Sequence, residues 1–184
     1  MRPDQKGQPG KRELTVGSTV RIQRVGEEHR LVVERLAQLE RHDLSEFRGY
    51  TPSPDGLYAF ERLPLFFSEP DRRVYLIHQD STLAGFTMTR RLADGATSIG
   101  GFFVVRALRR NGVGQRAALE LLRSQPGRWA IAFQEENAGA ARFWRGFATA
   151  AVGSAWTEER RPVPGKPEIP PDTWLLLDTR DLLG

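Results

Sequence analysis

The chain has 184 residues, 39% hydrophobic and 27% charged, with 27 basic against 23 acidic side chains for a net of +4, and no cysteine. That is the profile of one soluble globular domain with a single core. It excludes a disulfide scaffold, a thiolate zinc site and a cysteine nucleophile, and no apolar run approaches the roughly 20 residues of a membrane helix.

Residues 1–16 open with MRPDQKGQPGKRE. They hold no hydrophobic segment and read as a flexible tail, not a signal peptide. Residues 17–184 show no repeat and no second composition regime, so they read as one domain. STVRIQRV (18–25) alternates apolar and polar like a half-buried strand. EEHRLVVERLAQLERH (27–42) predicts a helix with Val32, Leu36 and Leu39 on its buried face and Glu27 and Glu28 at the positive end of its dipole. DLSEFRGYTPSPDGLYAF (43–60) reads as a short helix plus a loop.

RRVYLIHQD (72–80) and STLAGFTMTRRL (81–92) predict two strands joined by a tight turn. ATSIGGFFVVRA (96–107) is a third, and its Gly100 and Gly101 suggest a bulge or a close backbone approach. From Gly112 a helix presents Val113, Ala117, Ala118, Leu121 and Leu122 on one side. GRWAIAFQ (127–134) predicts a buried strand, NAGAARFWRGF (137–147) a helix, 148–160 a strand, and 172–180 the last strand after a Pro-rich loop. The order β-α-α-β-β-β-α-β-α-β-β argues for an α/β (α+β) domain, a mixed sheet with helices on both faces.

RALRRNGVGQRAALELL (106–122) carries the chemical signal. Arg106, Arg109, Arg110 and Arg116 stand within eleven residues with no acid between them. A helix N-terminus has unpaired N–H groups and partial positive charge, and glycine lets a ligand approach them. With arginines beside it, such a start suits a phosphate or pyrophosphate. A P-loop would need Lys-Ser/Thr after the glycines, and none follows. A dinucleotide fingerprint could accept Ala117 as its third small residue, but no acid stands about twenty residues on at a strand end. What remains is Arg-x-x-Gly-x-Gly, formed by Arg109, Gly112 and Gly114.

FFVVRALRRNGVGQRAALELL resembles the central strand, loop and helix of the GNAT superfamily, the acyl-CoA-dependent N-acetyltransferases. NAGAARFW is similar to that superfamily's next signature. The element order matches too, and the resemblance spans about residues 18–180. It implies a mostly antiparallel GNAT-like sheet, with acetyl-CoA as co-substrate and no metal. It implies that the backbone of Val104 and Val105 pairs with the pantetheine amides like an added strand. The amides of Arg110, Asn111, Gly112, Val113 and Gly114 would hold the pyrophosphate beside Arg109, and Asn137 and Phe143 would line the pantetheine arm. The Val104 N–H, or a neighbour's, would polarise the thioester carbonyl. It also suggests a homodimer in the cytoplasm, where a cysteine-free chain is at home.

The sequence departs from that pattern twice. Many relatives have a Tyr that protonates the leaving thiolate where this chain has Trp144, and Tyr58 is the substitute candidate. Relatives often carry a Glu on the central strand where this chain has Gly100 and Gly101, leaving open space for an acceptor. Asp43, Glu46, Glu135, Glu136, His42 and His78 are therefore candidate bases. Asp43 and Glu46, three apart, would share a helical face, or Asp43 or Ser45 would simply cap a short helix.

The acids and aromatics of 43–60, Tyr50 and Tyr58 among them, suit a cationic acceptor. This segment resembles that of kasugamycin-type aminoglycoside acetyltransferases, which would make the function antibiotic resistance by modification of a small-molecule amine. A protein or peptide acetyltransferase and a non-catalytic acyl-CoA sensor stay open. Acids mixed along the chain and no stacking surface argue against nucleic acid, and no segment argues for a membrane.

Overall fold

The computed structural model describes residues 18–180 except 164 and 166. The expected tail, residues 1–16, lies outside the described residues. Seven strands form one sheet in the order β1-β2-β3-β4-β5-β7-β6. They are β1 (Val20–Val25), β2 (Arg72–Gln79), β3 (Thr82–Arg91), β4 (Thr97–Val104), β5 (Arg128–Phe133), β6 (Trp156–Arg161) and β7 (Asp172–Asp178). Every neighbouring pair is antiparallel except β4 and β5. The helices are α1 (Arg30–Arg48), α2 (Leu65–Ser68), α3 (Val113–Ser124) and α4 (Ala138–Val152).

Strand side chains alternate between faces, and the core divides accordingly. Val74 and Leu76 of β2 join α1 and α2 with Phe86, Met88 and Phe103. Tyr75 faces the other way, where α3 and α4 pack Leu121, Trp144 and Phe147 on Ile131 and Leu175. The predicted α3 face is the observed one: Val113, Ala117, Ala118, Leu121 and Leu122 are all buried.

Two irregularities shape the middle of the sheet. Met88 pairs with Gly101 and Thr89 with Ile99, so Gly100 is the extra residue of a bulge in β4. Bulges bend the strand that carries them. The parallel pair β4–β5 holds only at Thr97↔Trp129 and Ser98↔Ala130, after which the strands part. A second register shift leaves Ala84 unpaired beside Gly85. There the chains run so close that a Cβ on Gly85 would overlap the Phe103 carbonyl.

Several boundaries differ from the sequence reading. Helix α1 runs through the expected break at residue 42 to Arg48 and stops at Gly49, whose φ of +63 and bond to Ser45 O end it. Ser45 caps nothing; its hydroxyl donates back to His42 O at 2.6 Å. The buried face of α1 is Val33, Leu36, Ala37 and Glu40, while Leu39 is 50% exposed. The short α2 follows the loop at 65–68, beyond the segment where a second helix was expected. Helix α4 continues through 148–152, because Ala148 and Ala151 are good helix formers that also reach the core. Strand β4 gives way to a 3-10 turn at Arg106–Leu108.

Gly85→Ala should destabilise the protein by about 3 kcal/mol or more, read as a shift in urea midpoint. A loss under about 1 kcal/mol would mean that β3 and β4 separate there without cost.

Candidate functional site

Strands that begin as a parallel pair and then part leave backbone groups without a neighbour strand. N–H and C=O groups alternate in direction along a strand. Val105 N–H donates to Ala84 O at 2.8 Å, on the β3 side. The amides of Phe102 and Val104 therefore turn the other way, into the gap. A side chain meets the first of them: Phe102 N–H donates to Glu40 Oε1 at 3.1 Å. The Val104 carbonyl accepts from Arg109 Nε at 2.6 Å. Val105, expected beside Val104 as a pairing residue, has both groups engaged within the chain, since its carbonyl accepts from Leu108 N–H at 3.0 Å.

Past the gap the chain makes the arginine-rich turn. Arg110 and Gly112 have φ of +64 and +74. Left-handed residues in such a turn bring successive N–H groups to one side, a concavity that suits anions. Gly112 caps α3 with no side-chain bond, and its carbonyl takes Arg116 N–H at 3.0 Å. The first amides of α3, Val113 and Gly114 among them, have no partner within the helix. The Val113 side chain is fully buried and anchors the turn in the core. Arg116 ties the turn to the segment just before β1, donating to Asn111 O at 3.1 Å and Ser18 O at 2.7 Å.

Asp43 on α1 faces this turn from the other side. It accepts from Arg106 Nη2 and from Arg109 Nη2, both at 2.5 Å. Partial burial pushes the Asp43 carboxyl up, but the bonds from Arg109 and Arg106 outweigh it and hold the carboxyl below its ordinary range. A carboxylate so held is a poor base. Glu46 is exposed and near enough to Arg106 to help raise that guanidinium's pKa.

Asn137 is the N-cap of α4, and its Oδ1 accepts from Ala140 N–H at 3.0 Å. The Phe143 ring centroid lies 5.9 Å from Phe102 and 4.8 Å from Trp144. A Cβ on Gly114 would stand 3.4 Å from Phe143, in ordinary van der Waals contact, so the start of α3 lies directly against the Phe143 ring of α4. Trp144 is buried in this aromatic cluster.

The segment after α1 folds back on that helix. Gln38 bonds the Tyr58 backbone at both ends, 2.7 and 3.0 Å, and the Tyr58 hydroxyl meets His42 Nδ1 at 3.1 Å. Of the aromatic residues expected to hold a cationic acceptor, Tyr50 already has a cation over its ring. The Arg41 guanidinium lies 3.9 Å from the Phe60 centroid and 5.0 Å from Tyr50. The glycine pair does not leave open space either. Gly100 lies under the Phe66 ring, and a Cβ on Gly101 would meet Met88 at 2.9 Å and Glu40 at 3.3 Å.

Of the other candidate bases, Glu135 is held low by Arg145 (2.6 Å) and Thr173 (2.7 Å). His78 is held low by burial and the nearby Arg21. Glu40 is the residue that sequence reasoning missed. It is 8% exposed, touches the gap, and burial pushes its carboxyl up to about 7. The signal was there: an acid follows Val33, Leu36 and Ala37 at the helical spacing of a core face.

The acetyltransferase (GNAT) family model matches residues 24–147. No curated protein matches the chain in sequence. A probable acetyltransferase of the GNAT family from Chromobacterium violaceum superposes with a TM-score of 0.62 at 22% identity, over 98% of this chain and 97% of its own. The spermidine N-acetyltransferase from Vibrio cholerae, in complex with CoA and spermine, gives 0.64 at 9% identity over 90% and 98%. A ribosomal L7/L12 alpha-N-protein acetyltransferase in complex with coenzyme A gives 0.60 at 14% identity over 88% and 95%. At such identities the likeness is one of fold.

The raised Glu40 pKa has a consequence for stability. The folded chain binds this proton at higher pH than the unfolded chain, so stability falls as pH rises from about 4.5 to about 7. Glu40→Gln cannot ionise and escapes the loss. The variant should match the wild type at acid pH and exceed it by up to about 3 kcal/mol near pH 8, measured by urea unfolding across that range. A wild type more stable than the variant at pH 8 would overturn this.

Proposed function

The chain belongs to the GNAT family of acetyltransferases, and on that premise we propose that it moves an acetyl group from acetyl-CoA to a primary amine of a small molecule. One observation carries the reading. The sheet opens between β4 and β5 directly before a glycine- and arginine-rich helix start. An extended arm with amides fits beside an open strand, and its diphosphate fits the turn. A pantetheine arm joined to a pyrophosphate has that form.

The residues fit the co-substrate as follows. The amides from Arg110 through Asn111, Gly112 and Val113 to Gly114 cradle the pyrophosphate, with Arg109 beside them. The Val104 amide, facing the gap, donates to the thioester carbonyl oxygen and stabilises the charge that grows there. Phe143 packs along the arm, and Asn137 fixes the start of α4 beside it. The Trp144 indole is no acid at neutral pH, so the leaving thiolate takes its proton from the Tyr58 hydroxyl or from water. Asp43 holds Arg106 and Arg109 in place until phosphate competes for them.

For the acceptor, an aminoglycoside of the kasugamycin kind is the first class to try. Glu46 stands exposed on α1, the side of the gap where a cationic substrate would gather. With Arg41 over Tyr50 and Phe60, carboxylates and not rings would recognise the amine. A protein N-terminus is the second reading, supported by the fold shared with the ribosomal alpha-N-protein acetyltransferase.

The test is acetyl-CoA with kasugamycin, gentamicin-type aminoglycosides, spermidine and an N-terminal peptide, following CoA release and product mass. One acetyl added to an aminoglycoside is the expected result. Acetylated peptide alone would select the second reading. Tight binding without turnover would make the chain an acyl-CoA sensor. For the co-substrate site, Gly112→Val forces a β-branched residue to a positive φ. It should weaken acetyl-CoA binding at least about tenfold by calorimetry, equivalent to about 1.4 kcal/mol. Unchanged affinity would remove this turn from the pyrophosphate site.

A further inference from the structure

We infer that Glu40 is the general base of the reaction, its carboxylate taking a proton from the acceptor ammonium in the gap between β4 and β5. The inference rests on the reading of the chain as an acetyltransferase acting on amines.

The position of Glu40 suits the role. Glu40 Oε1 sits 3.1 Å from the Phe102 amide, one of the two gap-facing amides of β4. The next is Val104, two residues on, or about 6.8 Å along an extended strand. A nitrogen attacking a carbonyl held at Val104 lies about 3 Å from the carbon. It needs a base about 3 Å beyond it. The carboxylate at Phe102 stands at that remove.

Space at the strand points the same way. No side chain on β4 can supply an acid here, because residues 100 and 101 are glycine. A Cβ at Gly101 would stand 3.3 Å from Glu40 Oε1. Bare strand at Gly101 lets a carboxylate from the helix reach the place where a strand side chain would otherwise be.

Third, among the described residues the one bond that Glu40 makes is to the Phe102 amide, and no cation is paired with it, though it is buried. A buried carboxylate without a counter-ion is costly, and carboxyls perturbed in this way cluster at functional sites. Its own helix brings Arg41, which pulls the carboxyl down, and Asp43, which pushes it up. Asp43 is itself paired to Arg106 and Arg109 from the turn after β4. Around Gly101 the strands bring Met88, Phe86 and the Phe102 amide, none of them ionisable. Burial dominates, and it leaves the carboxyl near neutrality, where a general base works best.

The protons balance as follows. The acceptor enters as an ammonium with three N–H protons. One passes to the Glu40 carboxylate and frees the nitrogen lone pair. That pair forms the C–N bond as the carbonyl π pair moves to oxygen. The oxygen pair then returns, the C–S bond breaks and its electrons leave on the CoA sulfur. The nitrogen gives up a second proton, which ends on the thiol. Glu40 returns its own to solvent. The products are the amide, CoA thiol and one proton.

The test compares wild type, Glu40→Gln and Glu40→Asp with two acceptors. One is the best ammonium acceptor of the panel above. The other is hydroxylamine, which is small enough for any acceptor site, largely neutral at about pH 8, and gives acetohydroxamate. With the ammonium acceptor, Glu40→Gln should lose about 10²- to 10³-fold in kcat, and Glu40→Asp should recover part of it. With hydroxylamine the loss should stay below about tenfold. The wild-type kcat/KM, which reports the free enzyme, should rise with pH through a limb near 7 that disappears in Glu40→Gln. Acetyl-CoA affinity, measured by calorimetry, should change less than about threefold. Equal losses on both acceptors with an unchanged pH profile would make Glu40 a structural cap for Phe102 and overturn the inference. Full activity in Glu40→Gln would overturn it as well. A wild type that binds acetyl-CoA yet acetylates neither hydroxylamine nor any amine would overturn the acetyltransferase reading and the inference with it.

Discussion

The parting of β4 and β5 after two residue pairs is the constraint on which the rest of the structure depends. A sheet stabilises itself by pairing every backbone group with a neighbour strand. Where pairing stops inside a protein, each orphaned group must find another partner or cost free energy. Here the partners come from outside the sheet. Glu40 takes the Phe102 amide, and Arg109 takes the Val104 carbonyl. Arg109 in turn is held by Asp43, one turn along α1 from Glu40. One helix thus supplies the acid at the gap and the anchor of the turn beyond it. Its far end is fixed to β7 by the half-buried pair Arg48–Asp172. Helix α1 therefore spans the opening and braces both halves of the sheet.

The charges on this brace have unequal tasks. Asp43 has two arginines and stays ionised well below neutrality. It orients guanidinium groups that would otherwise be mobile at a helix start. Those contacts are partly exposed, with 72% of the Arg106 side chain and 37% of Arg109 open to water, so each is weak and exchangeable. An incoming phosphate can compete for them without a large barrier. Glu40, three residues before, has the opposite character. It is largely buried, beside Met88 and Phe86 at the edge of the gap, and holds a single backbone bond. Two carboxylates on one helix face are thus pushed apart in pKa, one toward permanent charge and one toward exchange near neutrality. Such separation is how one site obtains both an anchor and a proton acceptor.

What the sequence disclosed follows the physics of each signal. Strands with clear alternation, the α3 face and the glycine–arginine turn are local patterns, and all could be read in the chain. The bulge at Gly100 was legible for the same reason, since paired glycines weaken a strand unless it bulges or another group comes close to its backbone. The ends of α1 and α4 were not, because Asp43 and Ser45 have the chemistry of a cap and the decision lay with Gly49 and with tertiary burial of Ala148 and Ala151. The error that mattered was the face of α1. Counting Leu39 as core rotated the helix by about 100° and turned Glu40 toward solvent. Hydrophobicity favours Leu39, but the gap in the sheet is polar, and an acid serves its amides better than a leucine does. The Arg41 stack on Phe60 and Tyr50 is likewise long-range and left no spacing to read.

Placing an acid on a helix and not on the strand changes what the site can recognise. A strand carboxylate would have to coexist with Met88 and Phe66, which fill the positions beside Gly101 and Gly100. The bulge and the two glycines remove that conflict and bring α1 and α2 down onto β4. The cost appears as a buried carboxyl that weakens the fold as it ionises. An acceptor ammonium entering the gap would relieve it, because a cation beside Glu40 favours the charged form that burial disfavours. Binding of the amine and activation of the base are then one event: the substrate's positive charge lowers the pKa of the group that must deprotonate it. A neutral acceptor brings no such relief, so the same burial that prepares Glu40 also selects for cationic amines.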